Sequence, residues 1–358
     1  GWISTPLVNR SKIRLQRLGF FEDVKVDTPS VPGTTDQVDI NLEVTEGSTG
    51  NFTAGVGYGS EGGLLFNASV SLNNYLGTGK RVKVEASKND ITEFYNFSWF
   101  NPYYTINGVS RGFSLFSRKT DASQADLADF LTDRVGATLT FGVPLTEYTS
   151  ARFGIGVEDT NIVVNDAEAP LYYSVWVKEN GNDFLTFVST LNHTFDTRNR
   201  TLFPDTGLFS QLSAEIAFPG GDLEYYKASY NLRWYNSFHK HVSLVIGGEV
   251  AYGDGYGDTL YLPFFENYFA GGIRSVRGFR QNSIGPKGID CRLVDQDVGN
   301  GGTITTRICT ADYSIGGNSK FQGRTELVFS NPFDEAPSRN FRLSAFIDFA
   351  RVYTNIDS

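Results

Sequence analysis

The residues best suited to chemistry form a short cluster, Val276-Arg277-Gly278-Phe279, inside a glycine-rich segment from about residue 253 to 320. The cluster sets a guanidinium beside an aromatic ring and a glycine, which can take backbone angles that other residues avoid. A connection of this length is usually either functional or disordered. The cluster favours a functional segment, and its chemistry is recognition of carboxylates by the planar guanidinium.

Enzymatic chemistry finds little support in the sequence. The three histidines are His193, His239 and His241, and neither a serine motif nor a metal-ligand spacing accompanies them. We therefore predict no catalytic residue, no metal and no cofactor. The net charge of −9, without a dense basic patch, argues against a nucleic-acid partner.

The two cysteines, Cys291 and Cys309, both lie in the glycine-rich segment. A disulfide between them fits an oxidising compartment, and two free thiols are the alternative. No further cysteine or nearby histidine completes a metal site. The chain opens at Gly1-Trp2-Ile3 without a signal peptide, and we expect it to be part of a processed exported protein.

The composition is that of a β-protein with alternating strands. The chain has 29 Phe, 18 Tyr and 38 Gly among 358 residues, yet its mean hydropathy is only −0.24. No apolar run approaches the roughly 18 residues of a spanning helix. A transmembrane barrel fits these values, because only every second residue of its strands faces lipid.

From Asn51 onward, apolar and polar residues alternate with a period of two. A soluble sandwich would give the same alternation with its apolar face inside. Short turns near residues 76–79, 144–146 and 219–221 alternate, however, with longer polar connections near 120–134 and 161–183. This asymmetry is typical of an outer-membrane barrel, and aromatic residues gather at the strand ends as interfacial girdles do.

We predict about 13 strands, of which the last is Phe341–Tyr353. Since bacterial single-chain barrels close with an even number, about three C-terminal strands are expected to be missing. Residues 1–49 differ from the rest. A helix from the N-cap Thr5 to Gly19 and strands at 21–26 and 37–44 predict an incomplete α+β module.

Several stretches resemble the POTRA-plus-barrel translocases and, among them, the outer-membrane protein assembly factors. These stretches are Leu15-Gln16-Arg17-Leu18-Gly19-Phe20-Phe21, Asn74-Tyr75-Leu76-Gly77-Thr78-Gly79, Asn101-Pro102-Tyr103-Tyr104, Phe203-Pro204-Asp205-Thr206-Gly207 and Glu266-Asn267-Tyr268-Phe269-Ala270-Gly271-Gly272, which leads into the arginine cluster. The resemblance implies an all-β membrane protein with an antiparallel transmembrane barrel of about 16 strands. Residues 1–49 would be the C-terminal part of the last POTRA domain. Residues 50–358 would be the barrel without its final strands, with a long lumenal or extracellular loop at about 253–320.

The resemblance also implies a function. The protein would be the central component of a machine that folds and inserts β-barrel proteins into the outer membrane through a lateral gate. Its partners would be unfolded outer-membrane proteins, outer-membrane lipid, and accessory lipoproteins and periplasmic chaperones that bind the POTRA region. The barrel would lie in the bacterial outer membrane and the POTRA part in the periplasm.

By the same resemblance, the first barrel strand, at residues 51–60, would form one side of the gate. It carries Phe52 on one face and Gly55, Gly57 and Gly59 on the other. Glycines weaken and loosen a strand, which suits a gate. The alternative is that these glycines only let the loop or the N-terminal module approach the wall.

Arg277 would anchor the loop inside the barrel by pairing with Glu326 and Asp348, again by resemblance. The alternation supports both partners independently. Leu327 and Phe329 would face lipid, so Glu326 faces inward; the neighbours of Asp348 place its carboxylate inward as well. The alternative is generic charge in a water-filled lumen.

Two other functions remain open from the sequence. A passive porin or receptor would not explain the N-terminal module or the arginine loop. A related transporter that secretes one dedicated substrate through its barrel shares the plan and a similar loop. The close run of turns favours assembly over secretion.

Overall fold

The structure is a computed structural model that describes residues 3–17, 21–59, 62–125, 130–165, 169–239, 241–297, 303–330 and 342–355. It begins with the helix α1, Thr5–Arg17, and an antiparallel pair of strands, β1 at Phe21–Asp27 and β2 at Asn41–Glu46. The predicted helix and strand pair are therefore present. The second strand begins later than predicted, because the chain after the Pro-Gly turn makes only an isolated bridge, Ser30 to Val38. The predicted stop at Gly19 lies outside the described residues.

The main body is one antiparallel sheet of 13 strands. The remaining strands, in chain order, are β3 Gly50–Gly59, β4 Gly63–Leu72, β5 Arg81–Lys88, β6 Thr92–Asn101, β7 Ser110–Asp121, β8 Phe130–Pro144, β9 Thr149–Val164, β10 Asp183–Asp196, β11 Gly207–Phe218, β12 Tyr225–His239, β13 Val242–Gly255, β14 Lys287–Asp297, β15 Thr303–Ser314, β16 Ser319–Ser330 and β17 Arg342–Tyr353. The sheet runs in order from β3 to β13 and continues through β16 to β17, while β14 and β15 form a separate hairpin. The predicted all-β class, the 13 barrel strands and the position of the last strand are confirmed.

The two faces of the sheet differ as the alternation predicts. On β12, the side chains of Tyr226, Tyr230 and Trp234 are exposed on the outer face. Lys227 and Ser229, between them, are partly buried and point inward. Large apolar side chains exposed on every second residue form a lipid-compatible outer surface.

The sheet wraps around the connection between β13 and β16, residues 256–318. Residues of this segment, which we call the lumenal loop, contact strands as far apart in the sheet as β8 and β17. The sheet is therefore barrel-like, with the loop inside. The predicted loop at 253–320 is not structureless, because it contains the β14–β15 hairpin.

The connection after β9, predicted as a polar loop, contains the helix α2, Leu171–Asn180. Its residues Tyr173 and Trp176, one turn apart, pack against Phe264 of the lumenal loop with ring centroids 4.1 and 5.3 Å away. Gly181, at a φ of +91°, ends the helix by donating its N–H to the carbonyl of Val177. Of the helices in the described ranges, none is long and apolar enough to cross a bilayer.

Several strands extend further into the predicted connections than the sequence suggests. β7 continues to Asp121, β8 begins at Phe130, and β9 and β10 leave only residues 165–182 between them. Beyond the apolar band, a strand needs no lipid-facing side chains, so its ends carry polar residues. Because these strand ends carry polar residues, the sequence predicted loops there.

The outer face gives a first test in the full-length protein. Leu115, near the middle of β7, is exposed on the outer face, and the adjacent Ser114 points inward. We expect Leu115→Arg to lower the free energy of unfolding by about 2–4 kcal/mol, because the charge would lie in hydrocarbon. Ser114→Arg should have a much smaller effect. Equilibrium unfolding in urea from lipid vesicles, followed by tryptophan fluorescence, measures both; equal losses would contradict the assigned faces.

Candidate functional site inside the barrel

The tip of the lumenal loop is a compact turn built on glycines. Gly271, Gly272 and Gly278 have φ values of +113°, +88° and +90°, which side-chain-bearing residues rarely adopt. The N–H of Gly272 donates to the carbonyl of Phe279 at 3.1 Å, and the N–H of Ser275 donates to the carbonyl of Gly272 at 3.0 Å. This turn fixes the backbone from which Arg277 projects.

The guanidinium of Arg277 holds the carboxylate of Asp348 with two parallel hydrogen bonds. Nε is 2.6 Å from Oδ2 and Nη2 is 2.7 Å from Oδ1. The backbone N–H of Arg277 adds a third bond to Oδ2 at 3.1 Å. The third guanidinium nitrogen, Nη1, lies 3.2 Å from Oε2 of Glu326. The structure thus brings together the three residues that the sequence and the resemblance selected.

Burial makes this contact more than a surface ion pair. The side chain of Asp348 is only 2% accessible and that of Arg277 is 18% accessible. The hydrogen bonds to Asp348 raise the pKa of Arg277 above its ordinary value. A buried carboxylate that lost its partner would be strongly destabilising, so the pair ties the loop to β17 and β16.

Several other residues take part that the sequence alone did not single out. The ring of Phe346 lies under the guanidinium, 3.4 Å from its centre. Arg324 donates through Nη2 to the carbonyls of Arg274 and Ser275, each at 3.2 Å. The hydroxyl of Ser275 donates to Oε1 of Gln322 at 2.7 Å.

The two-residue alternation along the strands could have identified these residues from the sequence. Phe346 lies two positions before Asp348, and Gln322 and Arg324 lie four and two positions before Glu326. Residues of the same parity share a face of a strand. Once one inward carboxylate is chosen on each strand, the same-parity neighbours become candidates for the loop contact.

The other three residues of the cluster have different surroundings. Val276 is buried, at 2% exposure, and packs the turn against the interior. Phe279 is 58% exposed and so contributes little packing. At Gly278 the space around an added methyl group is empty, so its backbone angle alone requires glycine there.

The predicted gate strand corresponds to β3, which lies at one end of the 13-stranded sheet and, among the described residues, pairs with β4. Phe52 is exposed on its outer face. A methyl group at Gly57 or Gly59 would meet no atom within 4 Å, whereas one at Gly55 would contact Asn67. In the part of the chain that the structure describes, no atom lies close enough to Gly57 or Gly59 to require a glycine there.

The cysteines are placed by their backbone only. Cys291 on β14 is the register partner of Cys309 on β15. Their side chains lie outside the described residues, so the disulfide stays a prediction.

Comparison with known proteins gives consistent matches along the chain. Residues 74–357 match the Omp85 superfamily domain. The chain is 33% identical to the outer membrane protein assembly factor BamA of Neisseria meningitidis serogroup B, over 98% of this chain and 43% of that protein. It is 27% identical to the sorting and assembly machinery component 50 homolog of Xenopus tropicalis, over 78% of this chain and 58% of that protein. The chain thus spans less than half of the Neisseria relative.

Solved structures agree with these matches. BamA from Haemophilus ducreyi lacking POTRA domains 1–3 superposes with a TM-score of 0.80 at 31% identity, covering 99% of this chain and 67% of that one. CdiB from Acinetobacter baumannii superposes with a TM-score of 0.52 at 14% identity, covering 99% of this chain and 66% of that one. The second likeness reflects the fold alone.

The Arg277 contacts predict that the loop detaches when the guanidinium is removed. In the full-length protein, Arg277→Ala should reduce hydrogen-exchange protection of residues 271–279 by the equivalent of about 3 kcal/mol, because it removes the two short hydrogen bonds to the buried Asp348 and leaves that carboxylate only the longer 3.5 Å contact with Arg324. Arg277→Lys should lose less, since lysine keeps the charge without the planar fork. Arg280→Ala, the exposed neighbour, serves as the control. Unchanged protection in Arg277→Ala would contradict the anchor.

The backbone of the turn gives a separate prediction. Gly278→Ala should weaken loop protection by about 1–2 kcal/mol, because alanine is strained at a positive φ. Gly57→Ala is the matched control, since a methyl group there also meets open space and its φ is not positive. Hydrogen exchange of residues 271–279 measures both variants. An equal effect of the two substitutions would refute the backbone explanation.

Proposed function

The chain belongs to the Omp85 superfamily, and from this premise we propose that it is the barrel part of an outer-membrane protein assembly factor. It would fold β-barrel proteins and insert them into the outer membrane. The observation that carries this proposal is the similarity to BamA along almost the whole chain, at 33% sequence identity and with a TM-score of 0.80 to a BamA structure. The similarity includes both the arginine loop and the first barrel strand.

The chain is an outer-membrane β-barrel protein of the Gram-negative type. We assign residues 1–49 to the C-terminal part of the last POTRA domain, on the periplasmic side. The order helix, strand, strand in α1, β1 and β2 supports this assignment. Residues 50–358 are then the barrel, with the lumenal loop inside it.

β3 supplies the physical basis for insertion. Unpaired backbone groups in hydrocarbon each cost several kcal/mol, so β3 would attract another strand whenever an open seam leaves its outer edge unpaired. An incoming barrel protein would satisfy this edge by adding its own terminal strand, which is β-augmentation. Gly57 and Gly59, unsupported by neighbouring atoms, would let β3 bend as the seam opens.

The lumenal loop would act through conformation and catalyse no covalent reaction. Arg277 joins the loop to β16 and β17, at the end of the sheet opposite β3. Its attachment would therefore set the position of these strands relative to the rest of the barrel. Loss of the anchor would change how the barrel opens while the sheet itself still folds.

The partners follow from the same proposal. Unfolded outer-membrane proteins would be the substrates, and the exposed apolar side chains of the outer face would contact outer-membrane lipid. Accessory lipoproteins and periplasmic chaperones would bind through the POTRA region. The net charge of −9 gives no support to a nucleic-acid partner.

Secretion of one dedicated substrate through the barrel is the competing function. The CdiB likeness, at 14% identity, supports only a common fold. The lumenal loop also disfavours a passive pore, because it crosses the interior and contacts opposite walls.

The test times the folding of an unfolded outer-membrane protein in liposomes with and without the full-length protein. We expect acceleration by the wild type, a several-fold smaller effect for Arg277→Ala, and wild-type activity for Arg280→Ala. A shift in gel mobility between unheated and heated samples checks that each barrel has folded. Steady ion conductance without any acceleration would overturn the assembly function in favour of a pore or a secretion transporter.

A further inference from the structure

A second buried ion cluster attaches the lumenal loop to another part of the wall. Glu266, in the turn Phe264–Glu266, is 7% exposed. Its Oε1 accepts a hydrogen bond from Nη2 of Arg134 at 2.6 Å, and its Oε2 accepts one from Nζ of Lys227 at 2.7 Å. Arg134 lies on β8 and Lys227 on β12, so one loop carboxylate bridges two strands that are not neighbours.

We infer that Glu266 is a second anchor of the lumenal loop and that it positions Arg277 against β17. The loop presents an anion to β8 and β12 and, eleven residues later, a cation to β16 and β17. The two attachments have opposite polarity, so neither end of the loop can bind the other end's site. The loop then acts as a strut between two regions of the barrel wall. Only the effect of this anchor on assembly activity rests on the proposed function.

Backbone hydrogen bonds hold the chain between the two anchors in place. Tyr268 and Gly317 exchange two backbone hydrogen bonds, at 2.8 and 3.0 Å. The N–H of Ile284 donates to the carbonyl of Ala270 at 3.0 Å. The ring of Tyr268 also lies 5.3 Å from Nζ of Lys227, which strengthens the attachment on the β12 side.

The charges around Glu266 allow this anchor to release without leaving an unpaired ion in the wall. Glu158 lies 3.5 Å from Arg134. Lys227 is the cross-strand register partner of Glu215, which accepts a hydrogen bond from the Tyr225 hydroxyl. If the loop leaves, the two wall cations keep two wall carboxylates. The anchor is therefore reversible, whereas removal of one partner from an isolated buried pair strands a charge.

Glu266 is ionised when it binds. Its burial by itself raises the pKa, but Lys227 and Arg134 more than offset this effect and hold the pKa of Glu266 at about 2. The carboxylate therefore carries its charge at neutral pH, as both hydrogen bonds require.

The test removes the charge at Glu266 and measures the loop at Arg277. In the full-length protein, Glu266→Gln keeps the shape of the side chain, and we expect it to lower hydrogen-exchange protection of residues 271–279 about tenfold. Glu85→Gln is the matched control, because Glu85 also binds a lysine at 2.7 Å, within the wall alone. Unchanged protection of 271–279 in Glu266→Gln would overturn the inference.

A variant on the wall side guards against misfolding of the loop variant. Lys227→Gln should lower protection of the same residues, and Glu266→Gln in that background should add much less than it does alone. Full additivity of the two substitutions would also overturn the inference, since it would mean that the residues act separately.

The hydrogen-exchange measurement needs no unfolded outer-membrane protein as substrate, so it tests this inference separately from the proposed function. If the wild type fails to accelerate folding of an outer-membrane protein, the assembly function falls, and the exchange data still decide on the anchor. If assembly is observed, Glu266→Gln should slow it several-fold with the barrel folded.

Discussion

The pairing of Arg277 with Asp348 is the interaction on which the interior of this barrel depends. Asp348 is almost inaccessible to solvent, and a carboxylate at such a place needs a partner of opposite charge. Arg324 on the neighbouring strand lies 3.5 Å from this carboxylate, but the two shortest hydrogen bonds come from Arg277 of the loop, and they form only when the loop folds back into the barrel. The glycines at 271, 272 and 278 permit the tight turn that brings the guanidinium there.

A second constraint, imposed by the bilayer, explains the composition of the wall. A strand in a bilayer must bond its backbone to neighbouring strands and present apolar side chains to lipid. Its inner face is free of that demand and carries charges, small residues and glycines. The mean hydropathy of the whole chain is only −0.24, although the outer surface of the sheet is apolar.

The interior polar residues fall into two clusters that bind different stretches of one loop. Arg277 binds β16 and β17 through a planar fork that few other side chains could supply. Glu266 binds β8 and β12 from within a wall patch that carries its own compensating carboxylates. Each cluster also has a longer contact of 3.5 Å within the wall, between Arg324 and Asp348 in the first and between Arg134 and Glu158 in the second.

The sequence by itself determined the alternating strands, the 13-stranded sheet, the inward direction of Glu326 and Asp348, and the arginine cluster. A period of two is a local property, and it can be read from neighbouring residues. Family resemblance, rather than the period, selected Glu326 and Asp348 from the inward carboxylates. Tertiary structure alone decided that α2 folds over the interior, that Phe346 lies beneath Arg277, and that Glu266 joins Arg134 across 132 positions of sequence. Contacts across a lumen depend on the register of every strand between them and on the curvature of the sheet, and no local pattern encodes that sum.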